Sequence, residues 1–378
     1  MIAVNLNQCL INVEWACMSI EISRRTTLMG LAVAAVNPLA FATPRRAKPV
    51  GWAILGLGSY ATNQVMPAFA HCEHSKLVAL ISGHQEKLSR FGDQYGIPAS
   101  KRFTYETMDA IAKDPEIEVV YVVTPPATHP DFVVRAAQLG KDVCSEKPMA
   151  PTPADCQRMI DACKKAGKLL QIGYRCHYEA HNLRAIQACR SGELGKIVSI
   201  RSDHGFNMGA GTWRTQKALA GGGSMMDIGI YSLNALRYLS GEEPIEVSAT
   251  ITNPPNDSRF VDVEDTVDFQ VTFPSGIVGH GTSGYSWIEG KNRYEVTGSK
   301  SKLVAEPATG YGGDRLTIDG TEVAVTVNNQ WAAQLDHFSQ CVRSRGKVLT
   351  PGEEGLRDIK IIQAIYESAK ILKPVKLV

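Results

Sequence analysis

The sequence has no excess of either charge. Its 378 residues include 40 Lys and Arg against 38 Asp and Glu, and the basic residues are spread along the chain. Nucleic-acid-binding domains gather basic residues on one face or along one helix, so no nucleic-acid partner is expected. Hydrophobic residues make up 44% of the chain, and a chain of this length and composition is expected to form two globular domains, each with its own core.

The sequence also lacks paired cysteines. None of its nine cysteines belongs to a Cys-x-x-Cys pair of the kind that binds zinc. Cys9 and Cys17 fall in a segment that we predict to be removed, and the cysteines that remain are odd in number. Neither a disulfide framework nor a metal site is therefore indicated, and we expect free, mostly buried thiols.

Long hydrophobic runs are absent as well. A membrane-spanning helix needs about twenty apolar residues, and neither the run at 28–36 nor any later run reaches that length. The run at 28–36 follows the pair Arg24-Arg25 and precedes small residues at positions 40 and 42, which is typical of a twin-arginine export signal. We predict a signal peptide at 1–42, cleaved near Ala42, recognition by the twin-arginine export machinery, and a mature chain without a membrane anchor.

Apolar strands alternate with amphipathic helices between residues 50 and 173. Continuous apolar strands separated by helices indicate a parallel sheet that is covered on both faces. We therefore predict a doubly wound α/β domain of the Rossmann type over residues 43–173. The predicted strands are 52–56, 77–82, 119–123, 142–145 and 169–172, and the predicted helices are 60–71, 86–95, 130–139 and 154–166.

After residue 174 strands follow one another quickly, and many alternate in polarity. This pattern favours an α+β domain over 174–378, built on a large, mainly antiparallel sheet with one open face. Exposed apolar sheet faces are usually covered, so we predict a homo-oligomer formed through this sheet. The final helices are candidates to pack back on the first domain. The predicted strands are 197–205, 246–252, 265–273, 278–285, 294–297, 302–306 and 315–318, and the predicted helices are 181–190, 224–239, 334–342 and 354–372.

A glycine motif lies between the first predicted strand and the first predicted helix. The segment Gly56-Leu57-Gly58-Ser59-Tyr60-Ala61 matches G-x-G-x-x-A. The first glycine permits a tight turn, the second lets the backbone approach a pyrophosphate, and the small third residue allows close packing of helix on strand. We predict that Gly56, Gly58, Ser59, Tyr60 and Ala61 bind a dinucleotide.

The tip of the second predicted strand indicates which dinucleotide binds. NAD sites place an Asp or Glu there to bind the ribose 2′-hydroxyl, but this chain has Ser82-Gly83-His84. Ser82 can donate a hydrogen bond to a 2′-phosphate, and Lys87 and Arg90 can offset its charge. The alternative for these two basic residues is an exposed helix face. Because the carboxylate is missing, we predict NADP as the cofactor.

Two further loops follow predicted strands at the same edge of the sheet, where ligands bind in such folds. In the first loop, Thr124, Pro125 and His129 are predicted to contact the cofactor, with a helix cap at Thr128 as the alternative. The second loop contains Glu146-Lys147-Pro148.

A lysine at the position of Lys147 can hydrogen-bond a substrate oxygen and stabilise the charge that develops as hydride moves. A surface ion pair with Glu146 is the alternative. Glu146 is predicted either to pair with this lysine or to bind a ribose hydroxyl of the cofactor.

The predicted helix at 224–239 carries Asp227 and Tyr231 four residues apart, so their side chains emerge on one face. Together with Lys147 they are predicted to form a set for proton transfer and substrate orientation, in which the lysine lowers the pKa of the phenol. The alternative is an amphipathic helix with a polar edge.

The order of GLGSYA, TPPATH, SEKPMA and GGGSMMDIGIY resembles the Gfo/Idh/MocA family of oxidoreductases, and within it the glucose-fructose oxidoreductases. The resemblance covers essentially the whole mature chain. It implies that Lys147 is the catalytic lysine, that Tyr231 is the general acid and base, and that Asp227 orients the substrate. It also implies that Arg175 borders the cofactor and that Tyr174 borders the substrate.

The resemblance also implies an activity and a location. The expected protein is a periplasmic sugar oxidoreductase with tightly bound NADP, which is not released between half-reactions. It oxidises an aldose at C1 to an aldonolactone and passes the hydride to fructose or to another aldose, giving an alditol such as sorbitol. Trp213 and Arg214 would lie near the sugar.

The proline-rich arm of the glucose-fructose oxidoreductases is reduced here to residues 43–49. An NADP-dependent aldose dehydrogenase with an exchangeable cofactor is therefore an alternative. A non-catalytic, NADP-linked sugar-binding protein is a further one.

Overall fold

A computed structural model describes residues 48–377 of the chain. The predicted signal peptide at 1–42 lies outside the described residues. Within 48–377, no helix combines the length and the apolar character that crossing a membrane requires.

Within residues 48–377, the first sheet has six strands, which are all parallel. Its order is β3-β2-β1-β4-β5-β6, so the direction of winding reverses between the first and fourth strands. Ligands bind at such a reversal, outside the carboxyl ends of the strands. The strands are β1 (Val50–Leu55), β2 (Ser75–Ile81), β3 (Arg102–Phe103), β4 (Val119–Val122), β5 (Asp142–Glu146) and β6 (Leu170–Gly173). The prediction of a doubly wound α/β fold is confirmed.

Helices cover both faces of this sheet. The first one starts with a wide turn at Ala61–Val65, which leads into α1 (Met66–Ala68). The others are α2 (Gln85–Gln94), α3 (His129–Gln138) and α4 (Pro153–Lys165). All residues of β1 and β4 are buried, which explains why these strands are apolar at every position instead of alternating. Strand β3 was not predicted, because two residues carry too little pattern.

The second sheet has nine strands within the described residues, in the order β14-β13-β12-β11-β7-β10-β9-β8-β15. Among these described strands, only β7 and β10 are parallel neighbours, so the prediction of a mainly antiparallel sheet is confirmed. The strands are β7 (Ile197–Asn207), β8 (Glu246–Thr252), β9 (Thr266–Thr272), β10 (Val278–Gly284), β11 (Ser286–Gly298), β12 (Lys302–Ala305), β13 (Leu316–Ile318), β14 (Thr321–Glu322) and β15 (Val375–Lys376).

Helices pack on one face of the second sheet. The helices of this part of the chain are α5 (Ala180–Ser191), α6 (Lys217–Ala220), α7 (Ile230–Ser240), α8 (Gln330–Ser344) and α9 (Gly352–Ile371). Of these, helices α7 and α9 pack on this face. The other face carries Arg201, Asp268, Gln270 and His280. This open face remains the predicted oligomer surface.

Helix α8 returns to the first sheet and packs against β1. The indole of Trp52 on β1 donates a hydrogen bond to Ser339 Oγ at 2.9 Å, and its ring lies 5.8 Å from that of Phe338. Burial of such aromatic side chains contributes strongly to a core. Contacts of this kind bring residues of α8 to the edge where the predicted ligand loops lie.

Candidate active site

Lys147 lies at the carboxyl end of β5, and its ammonium group faces the helix that carries the other two predicted catalytic residues. Lys147 Nζ donates a hydrogen bond to the backbone oxygen of Asp227 at 2.6 Å and lies 3.6 Å from Asp227 Oδ1. It also lies 4.4 Å from the ring centroid of Tyr231. The structure therefore brings Lys147, Asp227 and Tyr231 together, as the prediction of a common site requires.

The carboxylate of Asp227 has two further partners. Arg214 Nε donates to Asp227 Oδ2 at 2.9 Å, and the Tyr285 hydroxyl donates to the same oxygen at 2.8 Å. Burial alone would raise the pKa of Asp227, but Lys147, Arg214 and the Tyr285 hydroxyl outweigh burial and lower it. Asp227 is therefore ionised at neutral pH and can accept hydrogen bonds from a sugar.

Arg214 and Trp213 come from the segment between β7 and α6. The Arg214 guanidinium lies 4.4 Å from the Trp213 ring, and the contact between Arg214 and Asp227 places this pair at the site. The predicted position of both residues near the substrate stands as a prediction. Sequence reasoning did not identify Tyr285, because it lies between β10 and β11 with no motif around it.

The ring of Tyr231 lies among charged and aromatic groups. Besides Lys147, the Arg175 guanidinium lies 5.2 Å from the ring centroid, and the His204 ring stacks on it at 5.9 Å. Burial raises the pKa of Tyr231, and Arg175 has the largest opposing effect. The net shift is upward, and Arg175 is the main opposing cation. The predicted lowering by Lys147 stays a prediction.

Glu146 is buried next to Lys147 but does not pair with its ammonium group. Its carboxylate accepts hydrogen bonds from the Tyr121 hydroxyl and from the backbone N–H of Lys147, the latter at 3.1 Å. Burial raises the pKa of Glu146. The predicted Glu146–Lys147 ion pair is wrong, because the ammonium group pairs with Asp227. Glu146 instead holds the backbone from which Lys147 extends.

The glycine motif has the shape that a dinucleotide requires. Gly56 adopts a φ of +99°, and a Cβ there would lie 2.4 Å from the Val123 carbonyl oxygen, so this turn excludes other residues. Gly58 is exposed, and a Cβ there would meet nothing within 4 Å. Packing does not explain a glycine at 58, whereas close approach of a phosphate does. Ser59 is exposed beside it and Ala61 is buried. The motif therefore fits a bound dinucleotide.

The tip of β2 is compatible with a 2′-phosphate. Ser82 is 1% exposed, and its hydroxyl oxygen accepts the backbone N–H of His84 at 3.2 Å, which leaves the hydroxyl hydrogen free to donate. Lys87 lies in the first turn of α2 and is half-buried, whereas Arg90 is exposed and packs on the Phe91 ring at 5.0 Å. The predicted roles of Ser82 and Lys87 are compatible with this geometry.

His129 does not face the cofactor site. Its side chain is fully buried. One ring nitrogen lies 2.8 Å from the carbonyl oxygen of Thr124, and the other lies 3.1 Å from that of Pro148. The predicted cofactor contact of His129 is wrong, because its ring instead connects the loop after β4 to the loop after β5.

The Thr128 hydroxyl donates to Thr124 Oγ1 and can also reach the carbonyl oxygen of Pro125, each at 2.8 Å. It does not cap α3, so the alternative of a helix cap is also wrong. Thr124 and Pro125 remain partly accessible at this edge, where their predicted cofactor contacts stand as predictions.

Tyr174 also points away from the site. It is buried, its ring lies 6.0 Å from that of His177, and its hydroxyl lies next to Asp358 of α9. The predicted substrate contact of Tyr174 is wrong. Tyr174 precedes a short helical turn (Arg175–His177) and faces α9, whereas Arg175, the first residue of that turn, faces Tyr231.

Two aromatic residues that sequence reasoning missed lie next to the glycine motif. The ring of Tyr311 lies 6.0 Å from that of Tyr60 and 5.6 Å from that of Trp331. The Trp331 indole donates to the Tyr60 hydroxyl at 3.0 Å. No local pattern marks either residue, because Tyr311 lies in a loop before β13 and Trp331 lies at the start of α8.

The helix that carries Asp227 and Tyr231 is anchored at its start by Glu264. The carboxylate of Glu264 accepts the backbone N–H groups of Gly223 at 2.8 Å and Met225 at 3.0 Å, and also the Tyr366 hydroxyl at 2.8 Å. The first N–H groups of a helix have no partner within the helix, so this carboxylate supplies the partners and ties the helix to α9.

We expect Glu264→Ala to lower the free energy of unfolding by about 2–4 kcal/mol, because it leaves buried N–H groups without acceptors. Chemical denaturation monitored by circular dichroism measures the loss. The matched control is Glu322→Ala, which removes an exposed glutamate paired with Arg315 at 3.3 Å and is expected to change stability by less than about 1 kcal/mol. Equal losses in the two variants would contradict the anchoring role.

Comparison with known proteins places this arrangement in a family. Residues 50–174 match the Gfo/Idh/MocA oxidoreductase family model with an NAD-binding Rossmann fold, and residues 182–304 match the Gfo/Idh/MocA C-terminal domain. A D-xylose 1-dehydrogenase (NADP(+)) of Haloarcula marismortui is 30% identical over 344 residues, which cover 87% of this chain and 93% of that protein.

A second D-xylose 1-dehydrogenase (NADP(+)), from Haloferax volcanii, is 29% identical and covers 86% of this chain and 98% of its own length. Among solved structures, aldose-aldose oxidoreductase from Caulobacter crescentus, complexed with glycerol, superposes with a TM-score of 0.84 at 49% identity. The match covers 87% of this chain and all of that one. With both family models matched, the chain belongs to the Gfo/Idh/MocA family of oxidoreductases, as the order of its motifs predicted.

Proposed function

We propose that this protein is an NADP-dependent sugar oxidoreductase that oxidises an aldose at C1 and passes the hydride to a second sugar. The observation that carries the proposal is the meeting of Lys147, Asp227 and Tyr231 at the carboxyl edge of the first sheet, where dinucleotide-binding folds place the reactive end of the cofactor. The names of the NADP(+)-dependent and aldose-specific relatives support the cofactor and the substrate class.

NADP, when bound, would supply the acceptor and later the donor of hydride. In the first half-reaction, Tyr231 takes the proton of the C1 hydroxyl as the C1 hydride leaves, and the product is a lactone. Lys147 is placed to donate a hydrogen bond to the C1 oxygen, and Asp227 to accept one from a neighbouring hydroxyl. In the second half-reaction, Tyr231 returns the proton to the carbonyl oxygen of the acceptor sugar, which becomes an alditol.

The proposal includes retention of the cofactor between the two half-reactions and a periplasmic location. Support comes from the Arg24-Arg25 segment with its short apolar run, because the twin-arginine route exports folded proteins. A cofactor bound before export could then act without a periplasmic supply. The second candidate is an aldose dehydrogenase with exchangeable NADP, which the xylose dehydrogenase relatives favour.

One experiment separates these two candidates. The mature protein is desalted extensively, and the absorbance of reduced nicotinamide is followed without added cofactor. We expect the absorbance to rise when an aldose such as xylose or glucose is added and to fall again when fructose or a second aldose follows. A protein that responds only after NADP is added would be the dehydrogenase.

Heat-denatured protein provides the control for released cofactor, since NADP in its supernatant measures the bound fraction independently of activity. If neither the desalted protein nor the protein with NADP responds to any aldose, the proposed function is wrong. In that case the non-catalytic alternative gains support, provided that NADP is found in the supernatant.

A further inference from the structure

Arg175 is an almost completely buried cation two residues after the end of β6. Its side chain is 3% exposed. The guanidinium donates to the carbonyl oxygens of Gly310 at 2.9 Å and Thr309 at 2.6 Å, and to Gln330 Oε1 at 2.7 Å. The loop before β13 and helix α8 therefore hold the guanidinium in one position.

None of these partners carries a charge. Within residues 48–377, no carboxylate lies within ion-pair distance of Arg175, and its Nε is buried without a hydrogen-bond partner. A buried charge without a counter-charge is costly. Glu146 and Asp314 are near enough for Arg175 to lower their pKa values, but neither forms an ion pair with it. A negative charge that appears closer to Arg175 during function would offset the remaining cost.

The group next to Arg175 that can supply this charge is the phenol of Tyr231. The guanidinium carbon lies 5.2 Å from the Tyr231 ring centroid, 4.8 Å from that of Tyr311 and 5.8 Å from that of Trp331, so aromatic rings shield it from water. The positive charge of Arg175 lowers the pKa of the Tyr231 phenol against the effect of burial. A phenolate at partly buried Tyr231 would therefore face a fixed, buried cation.

Lys147 is less suited to this role. Its ammonium group is hydrogen-bonded to the backbone oxygen of Asp227 and lies 3.6 Å from the carboxylate, so its charge is already largely balanced. Both cations lie over the Tyr231 ring, so this balance of charge is what distinguishes them. The ammonium group of Lys147 is therefore placed to donate a hydrogen bond to the substrate oxygen and to pair with Asp227.

We propose that Arg175 is the cation that positions Tyr231 and stabilises its phenolate during proton transfer, whereas Lys147 serves the substrate oxygen. This inference rests on the proposed function. Arg175 acts through Tyr231 and is therefore a positioning residue for the reaction.

The electrostatics of the surrounding groups agree with this assignment. Burial raises the pKa of Tyr231, and Arg175 has the largest lowering effect on it, whereas Glu146 and Cys176 raise it further. The titratable and charged groups near Tyr231 are Lys147 and Glu146 after β5, Arg175 and Cys176 after β6, His204 on β7, Asp227 on its own helix, Tyr60 after β1 and Tyr311 before β13.

The test is the pH dependence of aldose oxidation in single turnovers of the NADP-loaded protein. Oxidation needs Tyr231 in its basic form, so the wild-type rate rises with pH. Loss of an adjacent positive charge shifts a pKa by about one to two units. We expect Arg175→Met to move the rising limb of the pH–rate profile to higher pH by this amount. At any pH on that limb, the rate should fall by about 10–100-fold. Arg175→Lys, which keeps the charge, should recover part of the shift.

Two further variants make the comparison specific. Lys147→Met should lower the rate at all pH values but leave the limb where it is. Arg237→Met removes another buried arginine, which pairs with Asp358 and Glu354 away from Tyr231. It is expected to lower the melting temperature without moving the limb. A limb that moved in this variant too would show that the loss of any buried arginine has this effect.

A limb that stays in place in both Arg175 variants, or that moves only in Lys147→Met, overturns the proposal. If Arg175→Met does not fold, Arg175→Gln takes its place, because its amide can still donate to a carbonyl oxygen but carries no charge; an unmoved limb in that variant also overturns the proposal. A wild-type protein that oxidises no aldose overturns the proposed function instead. NADP binding, measured by fluorescence titration, shows whether a variant has lost its cofactor.

Discussion

Replacing Tyr231 by phenylalanine is expected to lower the rate of aldose oxidation by about 10²–10⁴-fold, the usual contribution of a general acid or base. The ring would remain between Lys147 and His204, which lie 4.4 Å and 5.9 Å from its centroid, so the packing of the site is kept. Only the proton acceptor is lost. The measurement is the single-turnover reduction of bound NADP by an aldose, and the acceptor half-reaction should lose a similar factor.

The matched control is Tyr178→Phe. This tyrosine is also buried, and its hydroxyl donates to Gln171 Oε1 at 3.2 Å, away from the three catalytic candidates. Its removal tests whether the loss of any buried phenol slows turnover. We expect the control to react at the wild-type rate. A near wild-type rate in Tyr231→Phe would remove Tyr231 from the mechanism.

Replacing Lys147 by alanine is expected to lower turnover by about 10²–10³-fold, because the donor that stabilises the developing charge on the substrate oxygen is lost. A second consequence concerns Asp227. Lys147 is the first of the groups that lower the pKa of this carboxyl against the effect of burial, so that pKa should rise in the variant. The protein should then lose less stability on acidification, because a carboxyl with a depressed folded-state pKa loses its stabilising contribution as pH falls.

Turnover is measured at saturating aldose, and stability by thermal melts at neutral and acidic pH. Lys101→Ala provides the control, since this mostly buried lysine forms ion pairs with Asp114 and Glu116. It directly precedes β3, the edge strand at the other end of the first sheet from β5 and β6. The variant should change the melting temperature but not the turnover. Turnover that survives in Lys147→Ala would assign the substrate oxygen to another donor, with Arg214 the first candidate.

Much of the fold could be predicted from local pattern. The strand Glu246–Thr252 was predicted with its observed bounds, because alternating polarity marks a strand with one buried face. Apolar residues at every position of Val119–Val122 correctly indicated a strand buried on both faces. The two-residue strands at Thr321–Glu322 and Val375–Lys376 were missed, since they exist only through pairing with strands that are distant in sequence.

The position of the site was predictable for a similar reason. The carboxyl ends of parallel strands lie at one edge of a sheet, so a lysine after β5 and glycines after β1 had to be near each other. Side-chain directions were less predictable. His129 and Tyr174 belong to the expected segments, yet both are buried and face other partners.

The sequence by itself determined the two kinds of sheet, the glycine turn, the missing carboxylate at the tip of β2 and the pair Asp227 and Tyr231 on one helix face. These features depend on residue type and short spacing. Only the tertiary structure decided that Lys147 pairs with Asp227 and that Arg175 lies beside Tyr231, held by Thr309 and Gly310. Charges meet in this way only after packing has brought distant segments together, because their strength depends on distance and burial, neither of which can be read from positions in the chain.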